Sequence, residues 1–288
     1  MTVDRIDREW LRGIGKQLAD AVVDAAPRTS SDLTVMRYGT NPHTSLDREV
    51  DNRLREALVR IVPAPVLSEE HRPARVRDDD LCWVVDPIDG TLNAWAGSAD
   101  FAVSVALVDQ RESADRAGPS TLAAAVYVPR EDVLFEAIRG GGATRNGIEL
   151  DVKSLRPGNS GPQIVAFGIP HDMSQVADRM AGTMHRLMHA GWTTRQTGAA
   201  TIDICRVASG LWRGFFEYQL QYWDFAAAAL VAEEAGCKVY ATPVNAARTG
   251  GLPLVYDLVV ARTAHTGETL LKTMDAAAME EDAAAIPR

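Results

Sequence analysis

Apolar residues at positions 6, 10, 11, 14, 18 and 22 (Ile6, Trp10, Leu11, Ile14, Leu18, Val22) recur every three or four residues. That spacing lines one face of a helix, and it predicts an amphipathic helix over residues 4–26, stopped by Pro27. Leu46, Val50, Leu54, Leu58 and Ile61 repeat the pattern and predict a second helix, ended by Pro63. Between them residues 33–38 read as a strand, and Gly39-Thr40-Asn41-Pro42 breaks it. Past residue 64 the period changes. Val66-Leu67 and residues 81–85, 101–108, 122–128 and 133–138 are short runs of β-formers bounded by turn residues. The charged stretch 72–80 reads as a loop. Gly140-Gly141-Gly142 and Asn146-Gly147 predict tight turns, the second one a hairpin. With so little helix between these strands, the pattern predicts a mostly antiparallel sheet.

After the proline- and glycine-rich stretch 157–162 the two periods alternate. Strands are expected at 164–168, 214–217, 238–240 and 258–261. Helices are expected at 174–190, 201–209, 225–235 and 266–278, with fraying from Glu280. The change of pattern places a subdomain boundary near residue 155. An N-terminal α+β part would span 1–155, and a C-terminal α/β part 156–288.

Composition narrows the functional classes. At 288 residues the chain is long enough for a sizeable core, and 46% hydrophobic with 24% charged residues suits a globular protein. Thirty basic residues against 39 acidic ones leave a formal net charge of −9 with no Lys/Arg cluster, which argues against nucleic acid as a partner. Cys82, Cys205 and Cys237 form no CxxC pair, and their odd number and apolar contexts mark them as buried thiols rather than a disulfide framework. The first residues hold no apolar targeting segment and no run reaches membrane-spanning length, so a cytoplasmic chain without a membrane partner is expected.

The chemistry concentrates in Trp83-Val84-Val85-Asp86-Pro87-Ile88-Asp89-Gly90-Thr91. An apolar strand delivers two carboxylates, separated by a proline turn, to a Gly-Thr pair whose N–H groups suit an anion. Carboxylates beside an anion-binding turn call for a cation between them. Other carboxylates stand at the ends of predicted elements: Asp47 opens a helix, Glu69 and Glu70 end a strand, and Asp224 follows Tyr222-Trp223 at the start of an Ala-rich helix. Taken singly these are an N-cap, a solvated loop and a turn residue. Together they offer the hard oxygen ligands that magnesium prefers. Two such ions about 4 Å apart clamp a phosphate ester and acidify an attacking water. The glycines at 140–142 lack the G-x-G-x-x-G spacing and precede a hairpin, which excludes a dinucleotide site.

Asp86-Pro87-Ile88-Asp89-Gly90-Thr91 resembles the signature of the inositol monophosphatase family of magnesium-dependent, lithium-sensitive phosphatases. Trp223-Asp224-Phe225-Ala226-Ala227 with Glu234-Ala235-Gly236 resembles its second signature. Thr44-Ser45-Leu46-Asp47, Ser68-Glu69-Glu70, Gly142-Ala143 with Asn146-Gly147, and Gly198-Ala199-Ala200 fall in family order between them. The resemblance implies a layered αβαβα sandwich, two or three Mg2+ ions per site and, commonly, a homodimer. It implies that Glu69, Asp86 and the Ile88 carbonyl hold the first ion and Asp86, Asp89 and Asp224 the second, with Glu69 touching a weaker third. Asp47 and Thr91 would orient and activate the attacking water, with Glu69 also counted in the catalytic set. The Gly90 and Thr91 N–H groups would receive phosphate oxygens. Asp89, Gly198, Ala199, Ala200 and Glu217 would face the leaving group.

The implied activity is hydrolysis of a small polyol phosphomonoester, with inositol monophosphate first. Fructose 1,6-bisphosphate, histidinol phosphate, a 3′-phosphonucleotide or another cyclitol phosphate are alternatives. A regulatory binding protein that keeps the fold is the alternative of another class. The chain departs from the family pattern at Leu92 to Asp100, beside the expected site. It also departs at Arg37, where a Lys is common, and at Ala228 and Cys237, where Gly is common.

Overall fold

The computed structural model describes residues 8–27, 35–37, 43–72, 81–111, 119–154, 163–170, 172–244, 248–249 and 252–284. The first helical period forms α1 (Arg8–Ala25). Strands β1 (Val35–Arg37) and β2 (His43–Thr44) make a small antiparallel ladder, and the second period forms α2 (Ser45–Ile61). Ile14, Leu18 and Val22 of α1 and Val50, Leu54 and Leu58 of α2 pack in one cluster with Trp83, Val85, Val103 and Leu107. Trp10, which shares their spacing, is 41% exposed and lies outside that cluster.

That cluster covers one face of a seven-stranded sheet. Its strands are β3 (Val66–Ser68), β4 (Leu81–Asp89), β5 (Ala102–Asp109), β6 (Ser120–Val128), β7 (Val133–Ile138), β8 (Gly142–Arg145) and β9 (Ile148–Leu150), with the short helix α3 (Thr91–Ala96) between β4 and β5. They lie side by side in chain order. The β3–β4 pair is parallel and every later pair antiparallel. Strand β4 sends Trp83 and Val85 to the helices and Cys82 and Val84 to the opposite face, which is also buried. Burial on both faces explains why this strand reads as a continuous apolar run. The β8–β9 hairpin turns through Asn146 and Gly147, both at positive φ (49° and 75°), as a two-residue type I′ turn requires.

The second half supplies β10 (Ile164–Phe167), α4 (Ala177–His189), β11 (Thr193–Arg195), α5 (Ala200–Ala208), β12 (Gly214–Gln221), α6 (Ala226–Glu234) and β13 (Lys238–Pro243). The two-residue ladder of β14 (Arg248–Thr249) and β15 (Leu252–Pro253) follows, then β16 (Val255–Ala261) and α7 (Ala264–Ala284). A five-stranded sheet runs in the order β11-β10-β12-β16-β13, parallel around β10 and antiparallel around β16. Helices α5 and α6 fill the space between the two sheets, and α4 and α7 cover the outer face of the second. The result is an αβαβα sandwich. Alanines 226–229, Leu230, Val231 and Ala232 are all buried, because a helix lying between two sheets meets apolar neighbours on every side.

Several expectations change. Strand β4 does not stop at Val85 for a proline turn but continues through Pro87 to Asp89. Asp86 pairs with Ser104 and Asp89 with Ala102, so three steps on β4 answer two on β5. Proline has no N–H for the ladder, and a bulge is where a strand accommodates it. The helix expected at 174–190 divides into a 3₁₀ turn (Met173–Gln175) and α4. Strand β11 has no counterpart among the expectations, because its Thr-Thr-Arg is polar and largely exposed at a sheet edge. Helix α7 continues to Ala284 rather than fraying from Glu280, since its last turns are rich in helix-forming Ala and Glu. The break at 39–42, residues 73–80 of the charged loop, the stretch 157–162 and the boundary near 155 lie outside the described residues. Among the described residues no helix is long and apolar enough to cross a membrane.

Candidate active site

The bulge in β4 sets the first wall of the site. Asp86 is 1% exposed, and its Oδ1 accepts the Ile88 N–H at 3.0 Å, which turns the chain within the bulge. Gly90 then takes φ 87°, and a Cβ there would lie 2.8 Å from the Asp100 carbonyl and 3.1 Å from the Ala199 Cβ. Only glycine meets both the conformation and the close approach. Helix α3 begins at the next residue. The Thr91 hydroxyl stands 2.9 Å from Asp47 Oδ1 and 3.0 Å from the Ile88 carbonyl. Asp47 is fixed by the capping box of α2: its Oδ2 accepts the Thr44 N–H at 2.9 Å and the Thr44 hydroxyl. A cap at the N-terminus of one helix therefore aims a carboxylate at the N-terminus of another.

The facing wall comes from the second half of the chain. Asp89 Oδ2 accepts the Thr201 N–H at 2.7 Å and the Thr201 hydroxyl at the start of α5. Asp203, two residues on, accepts the Thr197 hydroxyl at 2.6 Å and so closes the Gln196–Gly198 loop onto the helix. Glu217 is buried on β12 against Gly168. A Cβ on that glycine would sit 1.8 Å from Glu217 Oε2, so the carboxylate occupies the place of a side chain. Asp224 is buried in a 3₁₀ turn (Tyr222–Asp224), one residue before the N-cap of α6, and does not itself cap the helix.

These walls enclose a cavity of about 460 Å3. Glu69, Asp86, Ile88, Asp89, Gly90 and Thr91 line one side; Gly198, Ala199, Ala200, Glu217 and Asp224 line the other. Asp47 is not on its wall and stands behind Thr91. Glu70 does not line it. Sequence reasoning missed Gly168, Thr201, Asp203 and Gln219. Asp203 left a signal, a carboxylate between Ile202 and Ile204 on an apolar helix, which is rare unless paired. The other three left none, because their roles depend on partners distant in the chain.

Six carboxylic side chains line this cavity (Glu69, Asp86, Asp89, Asp203, Glu217, Asp224), and no Lys, Arg or His among the described residues joins them. Burial, then the charges of Glu69, Asp89, Asp224 and Asp47, push the Asp86 carboxyl well above the ordinary range. Burial also raises Asp224 and Glu217. Asp89 is pushed up to about 6 by burial, moderated by its bonds from Thr201, and Asp203 to about 7 by burial, moderated by Thr197. Crowded, dry carboxylates of this kind are stable as anions only with a cation among them. Among the described residues no three side chains stand as a ready-made chelate. Magnesium keeps several waters and binds through few carboxylates, so the donor chemistry fits it. The three cysteines are buried and free, and burial raises their thiols.

The Leu92 to Asp100 segment, where the chain departs from the family pattern, is tied down rather than loose. Asn93 Nδ2 donates to the Asp100 carbonyl at 2.6 Å and the Thr197 carbonyl at 2.8 Å. Arg206 Nη2 bonds the Asp100 carboxylate at 2.8 Å and Glu131 at 3.1 Å. Leu92, 52% exposed, and Ile169, 47% exposed, give the cavity an apolar rim.

Comparison with known proteins agrees with this architecture. Residues 2–279 match the model of the inositol monophosphatase family. The chain is 33% identical over 215 residues to the Nus factor SuhB of Escherichia coli, covering 74% of this chain and 73% of that protein. It is 32% identical over 225 residues to the inositol-1-monophosphatase of Rhizobium meliloti, covering 78% and 79%. Among solved structures, the extragenic suppressor protein suhB of Bartonella henselae superposes with a TM-score of 0.75 at 27% identity, covering 91% of this chain and 98% of that one. The inositol monophosphatase of Anabaena has the same fold, with a TM-score of 0.73 at 23% identity over 92% and 96%. With the family model spanning nearly the whole chain and relatives above 30% identity over more than two thirds of it, the chain belongs to the inositol monophosphatase family.

Proposed function

We propose that this protein hydrolyses a small polyol phosphomonoester with magnesium, inositol monophosphate being the first candidate. The observation that carries the reading is the cavity with six carboxylic side chains and, among the described residues, no basic one on its walls. A phosphate ester enters such a site only with cations. Glu69, Asp86, Asp89, Asp224 and the Ile88 carbonyl would hold magnesium. When bound, it withdraws charge from the phosphoryl oxygens and makes the attacking water more acidic.

The chain's own groups do the rest. A Thr91 hydroxyl that gives its hydrogen to Asp47 turns its lone pairs to a water, and Asp47 takes up the proton released along that path. The N–H groups of Gly90 and Thr91, at the start of α3, receive phosphate oxygens. Glu217, with Gly198, Ala199 and Ala200 on the same wall, meets the leaving group, and its carboxyl suits hydroxyls that would otherwise be buried without partners. Fructose 1,6-bisphosphate, histidinol phosphate, a 3′-phosphonucleotide or another cyclitol phosphate are the alternative esters for the same chemistry.

The test is phosphate release from a panel of sugar, inositol and nucleotide phosphates, with and without magnesium. Asp86→Asn is expected to lower kcat by more than about 100-fold, beyond what loss of an outer-shell partner costs. A folded Asp86→Asn protein with wild-type turnover sinks the assignment. The relatives named Nus factor SuhB favour a second reading, a protein whose role includes binding a partner. Under that reading partner binding survives Asp86→Asn while phosphate release does not.

A further inference from the structure

Strand β12 carries one residue more than β16 can pair. Glu217 faces Leu258 and Leu220 faces Tyr256, three steps against two. The packing locates the extra residue. Phe216 and Tyr218 lie in the outer core with Val259 and Leu270, whereas Phe215 and Leu220 lie in the central core. In an unbroken strand Leu220 would share the side of Phe216 and Tyr218. Gln219 is therefore the insertion, and its backbone is left-handed at φ 54°. Glycine adopts that conformation freely; glutamine does not. Strain of this kind persists only where the surroundings hold it, and it collects at functional sites.

The surroundings here do hold it. A bulged residue loses its ladder partner. Asp257, between Tyr256 and Leu258, accepts the Gln219 N–H on Oδ1 at 3.0 Å. Its Oδ2 stands 3.6 Å from Arg179 Nη2, and the Arg179 guanidinium lies over the Tyr218 ring, 4.6 Å from its centroid. The Tyr218 hydroxyl is fixed in turn by Thr183 at 2.8 Å. Both strand β16 and helix α4 thus clamp the bulge. Its consequence is positional: Gln219 lines the cavity beside Glu217.

We propose that Gln219 binds the leaving group and sets the preference for polyhydroxylated esters, and that Asp257, paired with Arg179, is the positioning residue that keeps the bulge turned to the cavity. The proposal rests on the phosphatase reading above. An amide offers both a donor and an acceptor, whereas a carboxylate such as Glu217 is an acceptor alone, so the pair complements neighbouring hydroxyls. A site built to bond hydroxyls discriminates against esters that lack them.

Steady-state kinetics with magnesium on inositol 1-phosphate, glycerol 2-phosphate, fructose 1,6-bisphosphate and p-nitrophenyl phosphate test it. The last has no free hydroxyl on its leaving group. Gln219→Gly keeps the bulge and removes the amide. It is expected to raise KM for the polyol esters about tenfold and to lower their kcat/KM relative to the aryl ester by a similar factor. Asp257→Ala should reproduce that loss. Asp257→Asn, which retains the Oδ1 acceptor, should restore most of it. Asp257→Ala added to Gln219→Gly should cost little more, because both act on one contact. An unchanged polyol-to-aryl ratio in Gln219→Gly overturns the assignment, as does a folded Asp257→Asn no better than Asp257→Ala. If the wild type hydrolyses none of the esters, the phosphatase reading fails by itself. Calorimetric titration with inositol 1-phosphate then decides Gln219, and equal affinity in wild type and Gln219→Gly, or none, overturns it.

Discussion

Gly168 has no Cβ, and the Glu217 carboxylate fills the space where one would be. Gly168→Ala would force either the β10 backbone or the Glu217 side chain to move, and overpacking of this kind costs about 1–3 kcal/mol. The expected outcome is a lower Tm and a KM for polyol esters raised at least about tenfold, with kcat less affected, because the proposed leaving-group contact moves and the proposed water-activating pair does not. A crystal structure or kinetics showing Glu217 and KM undisturbed would refute this. The same pair shows what is legible at this scale. Glu217 could be picked from the sequence by its seven-residue spacing from Asp224, within a recognised block. Gly168 could not, because the demand on it comes from a side chain on another strand. Gln219 is the sharper case: nothing in Tyr-Gln-Leu-Gln announces a left-handed residue, since the bulge arises from a register mismatch with β16.

Among elements, helix α2 does two jobs through one cap. Thr44 and Asp47 satisfy each other's N-terminal groups, and Asp47 keeps its second oxygen for Thr91. Thr44→Ala should destabilise the fold by about 1 kcal/mol, the ordinary worth of an N-cap. It should also lower kcat, because Asp47 loses the hydroxyl that steadies it, and Thr44→Ser should recover both. Thermal denaturation and steady-state kinetics on the two variants check this; a drop in Tm with kcat intact would confine Thr44 to capping. Elements were readable where pattern and environment agree. The periods of α1 and α2, the apolar core of β4 and the Asn-Gly hairpin are properties of short stretches. Strand β11 and the extension of β4 through Pro87 were not readable, because an edge strand of Thr-Thr-Arg and a bulge around a proline are stabilised by their neighbours in the sheet.

At the scale of the whole molecule the two halves supply carboxylates to one cavity, and this makes stability depend on pH and on cations. Burial holds Asp86, Asp89, Asp203, Glu217 and Asp224 above the ordinary carboxylate range in the folded chain. The folded state then binds protons more tightly than the unfolded one. That stabilisation is complete below the unfolded values, about 4. It is lost as pH rises through the folded values, about 6 for Asp89 and about 7 for Asp203. Metal-free protein is expected to melt at a lower temperature at pH 8 than at pH 5. Magnesium should stabilise the fold more at pH 8, where it meets ionised ligands, by about 2.7 kcal/mol at a hundredfold excess over Kd, with a correspondingly larger rise in Tm. Scanning calorimetry at both pH values with chelator or magnesium measures it, and a magnesium effect larger at pH 5 would contradict it.

The sequence by itself determined the family, the helices and strands whose period is local, and the carboxylates grouped around Asp86 and Asp224. Motifs of consecutive residues survive without knowledge of the fold, because the turn or strand end that aims them is built by the same few residues. Only the tertiary structure decided what surrounds them. It set the bulge that carries Pro87, the glycine that yields its space to Glu217, the Thr201 contact with Asp89 that orders the facing wall, and the strained Gln219. Each of those depends on a partner remote along the chain: a neighbouring strand for the bulge, the glycine and Gln219, and the facing half of the molecule for Thr201.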